Sequence, residues 1–468
     1  MTVEAIRKRY IGDRVFYQNV MSVTIPIMIQ NGITSFVNML DNIMVGQVGT
    51  LPMSGVSITN QLLMIFNITI FGAVNAAGIF GAQFFGKGDA EGHRNTMRFK
   101  FYAAGFAALG WLLVFGLGGK HLVGLFLNSQ ANSAADAADT LGYALSYLHI
   151  MLWTLPLFAL TQVYSSTVRE TGETILPMRA SICAVLVNLC FNYLLIFGHF
   201  GFPRMGIRGA AAATVLSRVI ELAVMVYGSY RRKDRFLFLD GLYSTMRVPA
   251  SLVRSILLRG APLMLNEVLW SVGMAAITQC YSTRGLNAVA AMNINSTIQN
   301  VFMIAGMAMG ISISILVGQK LGAGKTEEAV DLDRKMIAMA LAVSFVILAM
   351  LYLSAPLFPR MYNTGEEVRQ TAERLLKITA LFQPVFTMYN ACYFTMRSGG
   401  RTVITMLMDS FYTVCINFPL AFFLSRFTGV NTVLMYLAVQ ASDIPKMILG
   451  LYLVHKLVWV RNLTETVS

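Results

Sequence analysis

Apolar runs dominate the chain, and they come in lengths that cross a bilayer. A transmembrane helix needs about 20 consecutive, mostly apolar residues. Such runs lie at about 15–45, 52–85, 96–119, 141–168, 176–198, 208–230, 251–281, 288–321, 332–354, 369–396, 403–424 and 431–458. Several exceed 25 residues, which implies tilt, kinks or extension past the hydrocarbon. Short polar stretches carrying Gly, Pro, Lys and Arg separate them. The pattern predicts an all-α integral membrane protein of twelve transmembrane helices.

Composition agrees. Only 13% of residues are charged and 56% are apolar, with a mean hydropathy of +0.61, whereas soluble domains carry about 25% charge. The 38 glycines fit close helix packing in lipid, where small residues let backbones approach. Cys183, Cys190, Cys280, Cys392 and Cys415 all lie inside apolar runs without a CxxC pair, so they read as packing residues rather than metal ligands or a disulfide framework. The basic start (Arg7, Lys8, Arg9, Arg14) leads into an apolar run too long for a cleaved signal, so the first span is expected to stay.

The formal charge of +13 would indicate nucleic acid in a soluble domain. Here the basic residues sit between the spans, where they set orientation. With the N-terminus in the cytoplasm, 25 of the 36 Lys and Arg fall on the cytoplasmic side and 9 on the other, leaving Arg218 and Lys446 inside spans. Both termini are therefore expected in the cytoplasm, and no nucleic acid is expected as partner.

The chain also repeats itself. A shift of 236 sets Pro26 on Pro262, Met28 on Met264, Gly49 on Gly285, Phe66 on Phe302, Gln83 on Gln319, Gly86 on Gly322 and Gly88 on Gly324, with 11 identities in the 63 positions from 26 to 88. A shift of 228 then sets Pro156, Phe158, Thr167, Arg169, Gly172 and Thr174 on Pro384, Phe386, Thr395, Arg397, Gly400 and Thr402, and Arg218 on Lys446. Six spans per half is an even number, so both halves enter from one side, with an expected pseudo-two-fold along the membrane normal. We expect an N-terminal lobe at 1–235 and a C-terminal lobe at 236–468, joined by the basic stretch 231–259.

Several stretches carry a family resemblance. They are Leu40-Asp41-Asn42-Ile43-Met44-Val45-Gly46 with Gly49; Arg169-Glu170-Thr171-Gly172 with Pro177; Asn188 to Asn192; and Phe202-Pro203-Arg204-Met205-Gly206-Ile207-Arg208-Gly209-Ala210 through Thr214. In the second half come Gly260-Ala261-Pro262, Gly318 through Gly324, and Arg397 through Thr402. In these the chain resembles the multidrug and toxic compound extrusion (MATE) family, of the bacterial NorM/DinF-like type within the MOP flippase superfamily. The resemblance implies an antiporter in the cell membrane, exporting amphiphilic or cationic small molecules against inward H⁺ or Na⁺ by alternating access. It implies no cofactor, and we expect a monomer in the lipid bilayer. A lipid-linked oligosaccharide flippase of the same superfamily is the alternative. Its usual fourteen spans and cationic cavity contrast with twelve spans and bases that have acidic neighbours. The five histidines are scattered with no HExxH motif, which speaks against an enzyme.

Ionisable groups inside a span cost at least about 2.5–3.5 kcal/mol and so call for a reason. Asp41, late in the first span, can bind Na⁺ as an anion, or carry a proton while sealed from water and release it when water arrives. Asn188 and Asn192 lie one turn apart on one face, where their amides can coordinate a cation or bridge helices. The resemblance places Asp41 on the family's N-lobe cation-site acid and Thr214 on its hydroxyl contributor. Some relatives carry an aspartate at the position of Asn192, and the tenth-span aspartate of the sodium-coupled NorM-type branch falls on Phe386. Glu267 and Asp409 are candidates for C-lobe coupling or for neutralising a cationic substrate. Arg218 with Glu221, and Asp443 with Lys446, are i,i+3 pairs of opposite sign expected to neutralise each other. Beyond a possible Na⁺ at Asp41, Asn188 and Asn192, no metal is expected.

Overall fold

A computed structural model describes Glu4 and residues 9–127, 134–362 and 364–466; Arg7 and Lys8 of the basic start lie outside the described residues. Thirteen long helices account for the twelve predicted runs. They are α1 (Arg14–Gly46), α2 (Thr50–Lys87), α3 (Ala90–Leu127), α4 (Ala134–Met151), α5 (Thr154–Glu170), α6 (Ile175–Phe197), α7 (Ile207–Tyr230), α8 (Ala250–Ser282), α9 (Leu286–Gly322), α10 (Thr326–Ser354), α11 (Glu366–Ser398), α12 (Thr402–Phe427) and α13 (Thr432–His455). Ten are long and apolar enough to cross a membrane on their own. The run at 141–168 divides into α4 and α5, bent by 45°. The last of the twelve, α11, carries six charges between Glu366 and Lys377. Among the described residues there is no strand. Large apolar side chains such as Phe106, Leu117 and Leu353 are more than 70% exposed, the surface a lipid solvent calls for.

Proline decides where the helices break. Pro156 enters α5 at its third residue, where backbone N–H groups lack helical partners anyway, so the chain turns just before it at no hydrogen-bond cost. Its repeat equivalent Pro384 lies inside the continuous α11. Pro26 and Pro262 sit at matching depths inside α1 and α8. Along α12, Leu407–Phe411 and Thr413–Asn417 wind as π-helical turns, a feature that gathers at functional positions.

The chain forms two compact units: a carboxyl-side unit of Met1–Met28, Ala82–Gly88 and Arg254–Ser468, and an amino-side unit of Ile29–Gly81 and Asp89–Val253. Within the carboxyl-side unit, the ends of α2 and α9 cross by way of the repeat. A Cβ on Gly86 would lie 1.9 Å from the backbone oxygen of Gln319, and one on Gly322 would lie 1.9 Å from that of Gln83. The two copies of a Gln-x-x-Gly element thus meet through their own glycines, at a distance no other residue permits. The side chain of Gln83 then donates to Ser398 O (2.9 Å) and accepts from the Leu463 amide (2.6 Å), and Trp459 beside it is fully buried.

In the amino-side unit the core runs through α2 to α7 and takes in Phe236, Phe238, Leu239 and Leu242 of the basic linker. Arg98 of α3 donates to the carbonyls of Leu242 (2.9 Å) and Gly241 (2.7 Å), and Glu173 accepts from Arg235 (2.8 Å). The linker is therefore a pinned strap on this unit.

Candidate functional site

Asp41 lies on α1 between the buried Val37 and Val45, and α6 carries the side chains that meet it. Helices α6 and α7 approach closely because Gly209 sits against the Leu195 backbone, where a Cβ would be 2.5 Å from the carbonyl oxygen, and because Ala210, Ala211 and Ala213 follow it. Gly198, in the left-handed conformation (φ 76°), ends α6 and turns the chain back. This packing brings Thr214 to Asn188.

The four N-terminal candidates gather in one cluster. Asn192 Nδ2 donates to Asp41 Oδ1 at 2.7 Å and stands 3.0 Å from Asn188 Oδ1, and Asn188 Nδ2 donates to Thr214 Oγ1 at 3.3 Å. Thr214 gives its own hydrogen to Ala210 O (2.9 Å). The oxygen and nitrogen of the Asn188 amide are assigned from their partners, and with nitrogen toward Asp41 it donates to Oδ1 (2.9 Å) and Oδ2 (3.2 Å), which satisfies the carboxylate as an anion. Asn192 Oδ1 is buried with no partner among the described residues, leaving a further hard oxygen of the kind Na⁺ and protons take.

The cluster opens on a cavity of about 430 Å³ within the amino-side unit, large enough for a drug-sized solute. Arg218 and Glu221 stand on its wall as the expected i,i+3 pair, 2.5 Å apart. Glu221 also accepts from Ser181 (2.9 Å), which accepts from Gln30 (2.7 Å). Arg218 is capped by the Phe158 ring, 5.4 Å from its centroid.

In the carboxyl-side unit the expected Asp443–Lys446 pair does not form. Lys446 Nζ turns instead to Asp409 Oδ1 on α12, at 3.1 Å, and lies 3.8 Å from the Tyr389 ring centroid. Asp443 accepts from Asn417 (3.0 Å). The reason is local geometry: the π-helical turn carries Asp409 within reach, and a buried lysine gains more from a carboxylate and an aromatic face together than from its own helix neighbour alone. Asn266 Nδ2 completes the group with a bond to Asp409 Oδ2 (3.1 Å). Glu267, half-buried on α8, makes no hydrogen bond among the described residues; Arg397 and Asp409 are its neighbouring charges. The structure thus brings Asp409 to Lys446 and leaves Glu267 apart.

Sequence reasoning missed a third group. Lys100 reads as a loop charge by position, yet it is fully buried, paired to Glu170 and bonded to Ser166 and Thr167 (both 3.1 Å). His93 reaches the same carboxylate at 3.3 Å, and Gly81 leaves room for it, since a Cβ there would lie 1.9 Å from Glu170 Oε2. The signal available in sequence was the pairing of Glu170 in the Arg-Glu-Thr-Gly stretch with glycines at 78 and 81, one turn apart.

The family model described as MatE matches residues 26–194 and 262–423, two stretches that begin at the repeat-equivalent Pro26 and Pro262. The chain belongs to the MatE family. MatE proteins are multi-pass membrane transporters, not enzymes, and need no cofactor. This MatE chain is similar to the probable multidrug resistance protein NorM of Thermotoga maritima (24% identity over 412 residues, 88% of this chain and 86% of that protein). It is also similar to the probable multidrug resistance protein YoeA of Bacillus subtilis (25% over 317 residues, 68% of each). Among solved structures it resembles an outward-facing multidrug resistance MATE family transporter of the MOP superfamily (TM-score 0.82, 17% identity, 98% of both chains). It resembles equally a MOP superfamily transporter from Pyrococcus furiosus whose reverse-polarity pocket suggests a different function (TM-score 0.81, 17% identity, 98% of both chains). At such identities the likeness establishes the MATE fold, and one fold serves more than one cargo.

Proposed function

We propose that this chain is a secondary antiporter that exports small amphiphilic or cationic solutes in exchange for H⁺ or Na⁺. Its carrying observation is the junction of Asp41, Asn192 and Asn188 at the wall of a 430 Å³ cavity. A carboxylate framed by two amide side chains at a cavity wall offers hard oxygens that suit either a proton or a sodium ion. Loading and unloading of this group, each coupled to which side of the membrane the cavity faces, is what an exchanger requires.

The relatives named as multidrug resistance proteins support the export of drugs or metabolites. The coupling role falls to Asp41 rather than Asp409, since Lys446 already neutralises Asp409. In this reading the six-helix halves 1–235 and 236–468 are the bodies whose alternation exposes the cavity. The protein works as a monomer in the cell membrane with both termini in the cytoplasm, the side favoured by Lys and Arg.

The test is efflux of a fluorescent organic cation from proteoliposomes with one gradient imposed at a time. Efflux driven by a proton or a sodium gradient in wild type, and lost in Asp41→Asn, is expected. Efflux indifferent to both gradients, and equal in the two proteins, would overturn the antiport reading.

A further inference from the structure

Three helices of the amino-side unit each send two asparagines to the cavity: Asn38 and Asn42 from α1, Asn60 and Asn67 from α2, Asn188 and Asn192 from α6. The spacings of four, seven and four residues put each pair on one helix face. Asn188 and Asn192 are engaged with Asp41, Thr214 and each other. The other four amides make no hydrogen bond among the described residues.

Each of those four amides offers two donors and one acceptor. Polar side chains inside a span persist where they face water or a polar pathway, so the cavity is hydrated when empty. A lipophilic cation entering it would strip that water and return no hydrogen bonds, leaving the amides unpaired. Sites that recognise such cations are built from aromatic faces, and Tyr147 is the one aromatic side chain among the described lining residues. The charges on the wall are Asp41, Glu221 and Arg218. The last two form an ion pair, so Asp41 is the carboxyl group on the wall without an ion-pair partner among the described residues.

We propose that this cavity takes a hydrophilic amine: a solute with one cationic nitrogen for Asp41 and several hydroxyl or amide groups for Asn38, Asn42, Asn60 and Asn67. An amino sugar or a short peptide has this chemistry, and a disaccharide-sized molecule matches the 430 Å³ available. The inference rests on the antiport reading for the direction of movement only; the binding preference stands on the lining. A site made to hydrogen-bond its ligand rejects an analogue lacking those groups far more strongly than an apolar pocket rejects a wrong shape.

Calorimetric binding to the purified full-length protein tests this with three probes: a monoamino disaccharide, a serine-containing dipeptide amide, and tetraphenylphosphonium. At least one polar amine is expected to bind wild type more tightly than the phosphonium. The near-isosteric Asn60→Leu/Asn67→Leu double variant is expected to weaken it at least tenfold while leaving phosphonium binding equal or stronger. Should that variant fail to fold, the order of affinities in wild type decides alone. Tighter binding of tetraphenylphosphonium than of both polar amines, or polar-amine affinity unchanged in a folded variant, would overturn the inference. Gradient-driven efflux of the phosphonium without polar-amine binding overturns this inference and leaves antiport standing; polar-amine binding without gradient-driven transport does the reverse.

Discussion

Asn192 donates its amide hydrogen to the carboxyl group of Asp41 at 2.7 Å, across 151 residues of sequence. This is the shortest contact Asp41 makes, and it joins α1 to α6 at the cavity wall. A hydrogen bond to a charged group contributes about 1.5–3 kcal/mol. That bond favours the ionised carboxylate, so Asn192→Leu is expected to tighten proton binding at Asp41 about 10–100-fold while leaving the fold intact. Ion dependence of transport in proteoliposomes measures the first, and thermal unfolding of the purified variant checks the second.

Lys446 and Asp409 form a pair whose side chains are 6% and 14% exposed. Removing one partner leaves a buried charge uncompensated, at a cost of about 3–5 kcal/mol, whereas replacing both by apolar groups of similar size is often neutral. Lys446→Met alone is expected to lower the unfolding midpoint sharply. Asp409→Leu added to Lys446→Met should restore most of the loss, and a double-mutant cycle of thermal unfolding reads the coupling. A loss in the double variant equal to the sum of the two single losses would show that the pair carries no coupling energy.

The reciprocal crossing of α2 and α9 predicts symmetric sensitivity. Gly86→Ala and Gly322→Ala each place a Cβ 1.9 Å from a backbone oxygen, which flexible side chains cannot relieve. Each is expected to destabilise by about 1–3 kcal/mol or more, the usual cost of overpacking, and by similar amounts. Gly88→Ala, with nothing within 4 Å but a φ of +76°, should cost about 1 kcal/mol from backbone strain alone. Thermal unfolding of the three variants side by side separates clash from strain.

Much of the fold was legible because lipid imposes it. The apolar runs have to be helices, and Pro26, Pro262, Gly86 and Gly322 mark equivalent points of two halves in the sequence itself. At the site, the i,i+4 spacing of Asn188 and Asn192 put both amides on one face. That α1 delivers Asp41 to that face is a tertiary fact which spacing does not contain; the family resemblance alone linked them.

What stayed hidden has physical causes. The i,i+3 spacing pairs Lys446 with Asp443 because helix neighbours are the only partners periodicity can show, and a π-helical turn that advances Asp409 leaves no mark in the pattern. Lys100 counted as a loop charge because it stands near the start of a span, yet it is buried against Glu170. The break between α4 and α5 falls just before Pro156, yet the run around it is apolar enough to read as one span. Asn38, Asn42, Asn60 and Asn67 lie on two helices, and spacing within one helix does not show that both pairs line one cavity.

If the Asp41 carboxyl group exchanges a coupling ion for cargo, cargo binding must displace that ion. Ion release on cargo binding tests it most directly: a saturating transported cation is added to purified protein in weakly buffered detergent solution, with a pH indicator in one arm and a sodium electrode in the other. Wild type is predicted to release close to one proton or one sodium ion per chain, and Asp41→Asn to release none while remaining folded. Release of the same ion in equal amount from Asp41→Asn would contradict the account.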